Sequence, residues 1–338
     1  MARAVTPRRW PCCVRCCLAR HKQSHRNLSM DKGNSQPLIN LLTFQEVAFW
    51  LRLRTMFFLW ARQRGKSYLI AAKAIDRMLE RAGRSCYFVS ASIATGKEIV
   101  EKEAQIWHDA LAKLRAKQEA LGKELGGNVV DKRSHKLLAV DDLAELMDKQ
   151  TAQVRIYHTR TSYSRTKILA PNPDTARGWT GDVFGDEVGF WPDFRAVLDA
   201  VEPIISRNPD FLMWMFTTPP EDDKHFTYDF LNPGPLEFTP NAQGNFYKTE
   251  AGYPVHRVDI FDSELAGLSL FDPLSGKPVA FEEYRAHAMD KASADRNYAL
   301  KFVQGGQSAV QLAWLNNAMY KGAQCCTGID LSKEVLAA

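Results

Sequence analysis

The chain has 338 residues, of which 45% are hydrophobic and 25% charged, and its formal net charge is +5. This composition excludes a disordered polypeptide and allows one large α/β domain with smaller appendages. Seven basic residues precede the first acidic residue, Asp31, so the rest of the chain is near neutral and the net charge is weak evidence for nucleic-acid binding.

The first segment of the chain, residues 1–29, shows no apolar periodicity. It holds four of the seven cysteines, which are Cys12, Cys13, Cys16 and Cys17. No second group of ligands follows at zinc-finger spacing, and an odd cysteine count without a secretory signal indicates a reducing compartment. We therefore expect either that Met30 is the true start and residues 1–29 are non-native, or that residues 1–29 are disordered.

No apolar stretch is long enough to cross a membrane, which takes roughly 18 to 20 consecutive apolar residues. The most apolar segment, Leu41 to Ala61, is interrupted by Gln45, Glu46, Arg52 and Arg54. We therefore predict a soluble, cytoplasmic protein.

The clearest local pattern is a strand, a turn and a helix in succession. A short amphipathic helix is predicted from Phe44 to about Leu53, and the compact apolar run Thr55 to Trp60 is typical of a buried strand. A turn over Arg62 to Ser67 leads into a predicted helix from Tyr68 to Arg81, which ends at Gly83.

Strands and helices continue to alternate up to Pro219. A long charged helix is predicted from about Thr95 to Leu121, and a shorter helix over Ala139 to Met147. The predicted strands are Cys86 to Ser90, Gln153 to His158, Lys167 to Ala170, Asp182 to Asp186 and Phe211 to Phe216. This alternation predicts an α/β fold with a mostly parallel sheet flanked by helices.

After Pro219 turn residues become frequent, which indicates a linker or small subdomain over residues 221–322. A helix is predicted from about Phe281 to Phe302, and the run Cys325 to Leu331 is typical of one further strand. Three histidines of this region lack metal-ligand spacing and are interpreted as packing or surface residues: His225, His256 and His287.

Gly65, Lys66 and Ser67 lie at the predicted strand-to-helix turn, where a nucleotide phosphate can be held. Backbone N–H groups and the helix N-terminus would bind phosphate oxygens, Lys66 would reach the β- and γ-phosphates, and Ser67 would bind Mg²⁺. Trp60 stands where such loops usually have their first glycine. An ordinary turn is therefore an alternative on this motif alone.

Two adjacent carboxylates, Asp186 and Glu187, end the apolar-leaning run that starts at Asp182. In a nucleotide hydrolase the first would hold Mg²⁺, and the second would position and deprotonate the attacking water. A surface loop after an edge strand would give the same pattern. The order of the two motifs along the chain favours nucleotide hydrolysis.

These residues resemble the large terminase subunits of tailed bacteriophages. The family's phosphate loop reads Arg-Gln-x-Gly-Lys-Ser/Thr without the first glycine, as Arg62 to Ser67 do, and an upstream glutamine that contacts adenine is matched by Gln45. Cys86 to Ser92, Thr175 to Trp179 and Phe211 to Pro219 are similar to the family's second strand, its Arg-Gly segment and its coupling motif.

The resemblance implies a P-loop ATPase domain over residues 30–220, with ATP and Mg²⁺ as cofactors. The implied nucleotide-binding residues are Gln45, Gln63, Gly65, Lys66 and Ser67. Arg62 would be an arginine finger in cis, with Arg64 as an alternative, and would act beside Lys66 and Glu187 in catalysis. Thr217 and Thr218 would sense the γ-phosphate and relay its loss.

In this family a nuclease of RNase H-like fold follows the ATPase, and its first metal-binding aspartate lies on the opening strand. Residues 323–338 would be the start of that domain, with Asp330 as the metal ligand. Because two-metal cleavage needs further carboxylates, we expect no nuclease activity from this chain.

The implied function is the ATP-hydrolysing motor that moves double-stranded DNA into a capsid, in the cytoplasm of the bacterial host. The implied partners are DNA, the small terminase subunit, the portal protein and further copies of the chain in a ring. Two alternatives stay open. One is a helicase-like ATPase, which would need a second nucleotide-binding lobe; the other is an inactive prophage remnant that binds nucleotide without turnover.

Overall fold

The computed structural model describes residues 38–90, 92–125, 147–150, 153–158, 161–172, 174 and 178–302. The helices and strands given below lie in the unit Ile39–Ala338. Some predicted features lie wholly or partly outside the described residues. They are the segment 1–29, residues 139–146 of a predicted helix, residues 175–177 of the Arg-Gly segment, and the nuclease start at 323–338 with Asp330.

The first five elements follow the predicted order. They are α1 Thr43–Trp50, β1 Thr55–Trp60, α2 Lys66–Glu80, β2 Ser85–Ser90 and α3 Ile93–Leu125. Strand β1 coincides with the predicted apolar run. Helix α2 begins at Lys66 because Gly65, its N-cap, takes a left-handed conformation with a φ of 76°.

The longest of these elements, α3, is amphipathic along its described side chains. It buries Ile99, Val100 and Ile106, while Glu98 and Glu101 are exposed. The predicted charged helix is thus confirmed. Glu98 and Glu101 lie on its solvated face, whereas Glu103 is fully buried. Among the described helices, none combines the length and the apolar character that crossing a membrane requires.

The middle of the chain is rich in strands. Its elements are β3 Met147–Gln150, β4 Gln153–Tyr157, β5 Tyr163–Leu169, β6 Asp182–Asp186, the 3₁₀ turn Val188–Phe190, α4 Phe194–Ser206 and β7 Met213–Thr217. Buried and half-exposed residues alternate along β4, whereas β6 and β7 are buried throughout. Complete burial is typical of central strands in a parallel sheet.

After β7 the elements are short. They are α5 Phe226–Leu231, β8 Asn245–Lys248, β9 Pro254–Val258, α6 Ile260–Leu265, β10 Leu270–Phe271, β11 Pro278–Val279, α7 Phe281–His287 and α8 Lys291–Asn297. The single helix predicted over Phe281 to Phe302 is therefore wrong. The chain becomes extended at Ala288, with a ψ of 135°, and Asp290 starts a new helix by accepting a hydrogen bond from Ser293 N at 3.0 Å.

Nine strands of the described residues form one sheet, in the order β3-β4-β5-β2-β6-β7-β1-β9-β8. The strands from β5 to β9 in this order are parallel, and β3, β4 and β8 add antiparallel edges. The predicted α/β class with a mostly parallel, helix-flanked sheet is confirmed. Because β8 and β9 follow residue 220, the segment predicted as a linker or subdomain also contributes to this sheet.

Helices cover both faces of the sheet. Leu69 of α2 packs in the same core as Phe58 of β1, and Val197 of α4 packs in the opposite core with Phe57. Successive residues of β1 therefore enter different cores, which explains why the strand is apolar on both faces. A third, smaller cluster forms around Phe281 in the segment from α6 to α8.

Candidate active site

Four neighbouring strands of the sheet, β2, β6, β7 and β1, are parallel and end at the same edge. The segments that follow their carboxyl ends therefore meet there, which is where open α/β sheets bind ligands. These segments carry Ser90, the acidic pair, the two threonines and the predicted phosphate loop.

The loop between β1 and α2 is bent by two left-handed residues, Gln63 with a φ of 56° and Gly65 with a φ of 76°. Glycine is favoured at position 65 by this conformation, and a Cβ atom there would also displace the Gln45 amide, since it would lie 2.3 Å from Gln45 Nε2. The loop leads directly into the N-terminus of α2. The first N–H groups of that helix have no partner within it and can bind an anion.

Lys66, the first residue of α2, is 6% exposed. Its Nζ atom donates to Trp60 O at 3.2 Å and forms an ion pair with Glu187 Oε1 at 3.1 Å. The ammonium group therefore joins the loop to the acidic pair, two motifs that are far apart in the sequence.

The acidic pair contains two buried carboxylate oxygens without a partner among the described residues, Asp186 Oδ1 and Glu187 Oε2. Burial is the main cause that raises the pKa of Asp186 to about 7. The negative charge of Glu187 adds to this shift, and the positive charge of Lys66 opposes it. Glu187 itself has a left-handed φ of 51°. Buried acceptors without donors fit a divalent cation, which would supply the missing positive charge.

The two predicted coupling threonines are fully buried after β7. Thr217 Oγ1 accepts a hydrogen bond from Gly189 N at 2.9 Å and donates one to Thr218 O at 2.7 Å. A Cβ atom at Gly189 would lie 2.7 Å from Thr217 Oγ1, so this close approach depends on glycine. Thr218 Oγ1 has no partner among the described residues.

Gln45 is buried in α1 and contacts the phosphate loop from the outside. Its Oε1 atom accepts from Leu42 N at 3.0 Å, and its Nε2 atom donates to Arg64 O at 3.3 Å. Gln45 is thus part of the loop's support, and an exposed position for this residue is excluded. Its contact with adenine stays a prediction.

The two loop arginines occupy different surroundings. Arg62 is exposed, its N–H donates to Asn297 O at 2.8 Å, and its Cζ atom lies 5.9 Å from the ring centre of Phe190, in the turn that follows the acidic pair. Arg64 is buried, and burial lowers its pKa. This placement favours Arg62 as the arginine finger, although both roles stay predictions.

Ser90 also lies at this edge of the sheet, although its sequence pattern did not predict a place in the site. It is buried at the end of β2, directly opposite Asp186 in the register of β2 and β6, and its Oγ atom has no partner among the described residues. A hydroxyl that ends an apolar strand was the available signal. Ser67 is half-buried in the first turn of α2 and Gln63 is exposed, and their roles stay predictions.

Several predicted residues cannot be placed in this site. Asp330 lies outside the described residues, as do Thr175, Ala176 and Arg177 of the predicted Arg-Gly segment. In the part of the chain that the structure describes, no group of three or more His, Cys, Asp or Glu side chains could hold a metal ion. A cation at Asp186 would therefore need hydroxyl, water or phosphate oxygens as further ligands, as Mg²⁺ commonly does.

A family model described as "Terminase large subunit, T4likevirus-type, N-terminal" matches residues 57–250. The matched range contains the phosphate loop, the acidic pair and the two threonines. Among curated protein sequences, none matches the chain significantly.

Solved structures of phage proteins are similar to this chain. The large terminase ATPase domain of a Thermus phage is 18% identical, with a TM-score of 0.50, and the match covers 78% of this chain and 94% of that one. The large terminase of a thermophilic bacteriophage, in one of its crystal forms, is 12% identical, with a TM-score of 0.46 and coverage of 79% and 54%. The chain therefore spans about half the length of this second protein. At this identity the match to the Thermus phage domain bears on the fold alone.

Proposed function

Because the chain belongs to the family of phage large terminase subunits, we propose that it hydrolyses ATP to move double-stranded DNA into a capsid. The observation that carries the proposal is the ion pair between Lys66 of the phosphate loop and Glu187 of the acidic pair, at 3.1 Å. It joins an anion-binding group to a candidate general base at the ligand-binding edge of the sheet.

In the proposed reaction the phosphates of ATP lie on the loop between β1 and α2. The N–H groups at the start of α2 and the Lys66 ammonium balance phosphate charge. Mg²⁺, held by Ser67 and Asp186, would add positive charge at the β- and γ-phosphates. Glu187 accepts a proton from water, whose oxygen bonds to the γ-phosphorus while the bond to the β–γ bridging oxygen breaks. ADP leaves with that electron pair, and Arg62 stabilises the developing charge.

Gln45 and Thr217 would have roles in adenine recognition and in coupling hydrolysis to movement. Adenine bound by Gln45 would connect base recognition to the loop, because the Gln45 amide already contacts Arg64 O. Thr217 would respond to events beside Glu187 through its hydrogen bond with Gly189 N. Loss of the γ-phosphate would thus reach the segment after β7.

The DNA part of the proposal is supported by the outward face of β4 and β5, here called the basic face. Its residues Arg155, Tyr163, Arg165 and Lys167 are half-exposed and alternate with buried ones. Arg155 and Arg165 are directly opposite each other in the antiparallel pair, and Lys167 Nζ lies 4.0 Å from the ring centre of Trp179. Cationic side chains that share one face of a sheet can contact the phosphates of DNA.

Other partners follow from family membership alone. We propose the small terminase subunit, the portal protein and a homo-oligomeric ring as the assembly in which this chain acts, in the cytoplasm of the host.

The test is ATP hydrolysis by the full chain, beside Lys66→Ala, Glu187→Gln and the exposed-lysine control Lys248→Ala. We expect a loss of at least about 100-fold in the first two variants, because each removes a group that acts on transition-state charge or on the proton. Wild-type rate is expected for the control. A folded wild-type chain that binds nucleotide with no turnover would favour the inactive-remnant alternative.

The DNA arm uses the double variant Arg165→Ala with Lys167→Ala, and Lys224→Ala with Lys248→Ala as a control of equal charge. We expect unchanged basal hydrolysis and reduced stimulation by double-stranded DNA. The slope of the logarithm of the DNA-binding constant against the logarithm of salt concentration should become shallower by about 2. Each phosphate contact contributes about 0.9 to this slope, and the double variant removes two cations. Equal slopes in both double variants would remove the basic face from the proposal.

The helicase-like alternative is tested with a forked duplex in the same assay. The described residues after 220 add β8 and β9 to the first sheet together with short helices, which is not the second nucleotide-binding lobe that a helicase needs. Strand separation coupled to hydrolysis would nevertheless favour that alternative.

A further inference from the structure

His225 connects the segment that follows β6 to the segment that follows β7. Its Nε2 atom lies 2.9 Å from Trp191 O, at the end of the turn that follows the acidic pair. Its Nδ1 atom lies 2.8 Å from Thr227 Oγ1 and 3.3 Å from Thr227 N. The imidazole therefore bridges the chain after β6 and the chain after β7.

The partners of the imidazole determine which nitrogen carries the proton. A carbonyl oxygen only accepts, so Nε2 must donate to Trp191 O, and the Thr227 N–H only donates, so Nδ1 must accept. The neutral ring protonated on Nε2 meets both requirements. His225 thus acts as a rigid connector with one donor and one acceptor at fixed separation.

The segment Glu187 to Trp191, here called the Glu187 turn, is held from several directions. Phe190 N donates to Glu187 O at 2.9 Å, and Trp191 Nε1 donates to Asp186 O at 3.1 Å. From outside the turn, Thr217 Oγ1 accepts from Gly189 N, and His225 donates to Trp191 O.

The hydrogen bonds that Thr217 and His225 make with this turn restrain its backbone. The first residue of the turn, Glu187, has a φ of 51°. A left-handed conformation is unfavourable for a residue with a Cβ atom and persists only when the surroundings enforce it. That conformation accompanies the placement of Glu187 Oε1 3.1 Å from Lys66 Nζ.

We propose that His225 is a positioning residue for ATP hydrolysis, which holds the Glu187 turn so that Glu187 faces the attacking water. This inference rests on the proposed ATPase function. His225 does not reach the reacting atoms and acts through Trp191 O. Misplacement of a catalytic group by about 1 Å costs up to about 100-fold in rate, so a single lost connector has a measurable effect.

A purely structural role for His225 predicts a different outcome. His225 is the N-cap of α5, and its side chain accepts from Thr227 N. Asparagine can retain this cap, because its side-chain oxygen lies where Nδ1 lies, but it is too short to reach Trp191 O. Glutamine can place an N–H group near the Nε2 position, but it loses the ring geometry of the cap. The two variants therefore separate the bridge from the cap.

The experiment compares His225→Asn and His225→Gln with the wild-type full chain in ATP hydrolysis and in thermal unfolding. We expect His225→Asn to lower kcat by about 10- to 100-fold with KM for ATP nearly unchanged, and His225→Gln to keep most of kcat. Both variants must still be folded at the assay temperature, which the unfolding curve establishes.

Three results would overturn the positioning role. They are full activity in His225→Asn, an equal loss of kcat in both folded variants, and a loss in His225→Gln alone, which identifies the cap as the important contact. Absence of hydrolysis in the wild type would instead overturn the proposed function itself. The two failures are therefore distinguishable.

Discussion

Strand β6 has a buried aspartate at each end, and the two differ in how their charge is satisfied. Asp182 is fully buried and accepts hydrogen bonds from Arg77 Nε at 3.2 Å, from Arg84 Nη1 at 3.0 Å and from Leu212 N at 2.8 Å. Asp186 is almost as buried, yet its Oδ1 atom has no partner among the described residues.

The difference shows what distinguishes a structural carboxylate from a candidate functional one. Both residues have the same side chain, strand and depth of burial, so burial alone does not separate them. The charge of Asp182 is balanced by the fold, whereas the charge of Asp186 is left for something outside it. Unsatisfied buried oxygens are therefore the more informative sign of a binding site.

The largest effect is expected from Asp182→Ala, which removes an acceptor shared by Arg77 and Arg84. Arg77 keeps its ion pair with Glu80, whereas the buried Arg84 loses its carboxylate partner. Breaking a buried ion pair in this way costs about 3 to 5 kcal/mol. Denaturant unfolding measures this loss, and Asp199→Ala, an exposed position on α4, is the control that should change stability by less than about 0.5 kcal/mol. Equal stability of the two variants would contradict the structural role.

The opposite pattern is expected for Asp186→Asn. We expect hydrolysis to fall by at least about 100-fold, or about 2.7 kcal/mol, because the amide cannot balance a divalent cation. The free energy of unfolding should not fall, since no buried charge pair is broken. Measurements of ATP hydrolysis and of unfolding on one preparation test both expectations. A loss of stability as large as that of Asp182→Ala would contradict the distinction between the two aspartates.

A third buried carboxyl group sharpens the comparison through pH. Burial raises the pKa of Glu103 well above its usual range, and the hydrogen bond from Thr166 opposes this shift. The protonated form of Glu103 therefore persists to a higher pH in the folded chain than in the unfolded chain. Its contribution to stability is complete below the unfolded pKa of about 4.3 and is lost as pH rises through the folded pKa.

Glu103→Gln should remove this pH dependence. Relative to the wild type, the variant should gain up to about 1.4 kcal/mol in unfolding free energy for each pH unit as the pH rises from the unfolded pKa of about 4.3 towards the raised pKa of folded Glu103. Glu101→Gln, an exposed position on the same helix, is the matched control. Parallel stability curves for wild type and Glu103→Gln would mean that Glu103 is ionised in the fold.

The sequence predicted what local patterns determine. Strand β1 and helix α2 follow from apolar spacing and from glycine at position 65, and the meeting of Lys66 with Glu187 follows once both are placed after parallel strands. The long-range pairings were beyond such reasoning. Arg77 and Asp182 are 105 positions apart, and nothing in the spacing of either residue indicates the other.

The basic face and the His225 bridge escaped sequence reasoning for a related reason. The cations of the basic face alternate with buried residues along each strand. They therefore form a patch only when β4 pairs with β5. His225 showed no ligand spacing, because its partners are a backbone carbonyl of a different segment and a neighbouring threonine. The break between α7 and α8 depends on the N-cap that Asp290 provides for α8. The spacing of apolar residues, from which the single helix was predicted, gives no information about such a cap.

The position of β1 in the sheet has a consequence for how the chain acquires its structure during synthesis. Its two neighbours are β7 Met213–Thr217 and β9 Pro254–Val258, and both come late in the sequence. Such distant pairings are slow to form, so the apolar segment Thr55–Trp60 has no strand partner while a nascent chain ends before β7. Its apolar, β-prone composition is typical of segments that aggregate when exposed. We therefore expect ribosome-bound fragments that end before residue 213 to be bound by chaperones, and release to follow synthesis of β9.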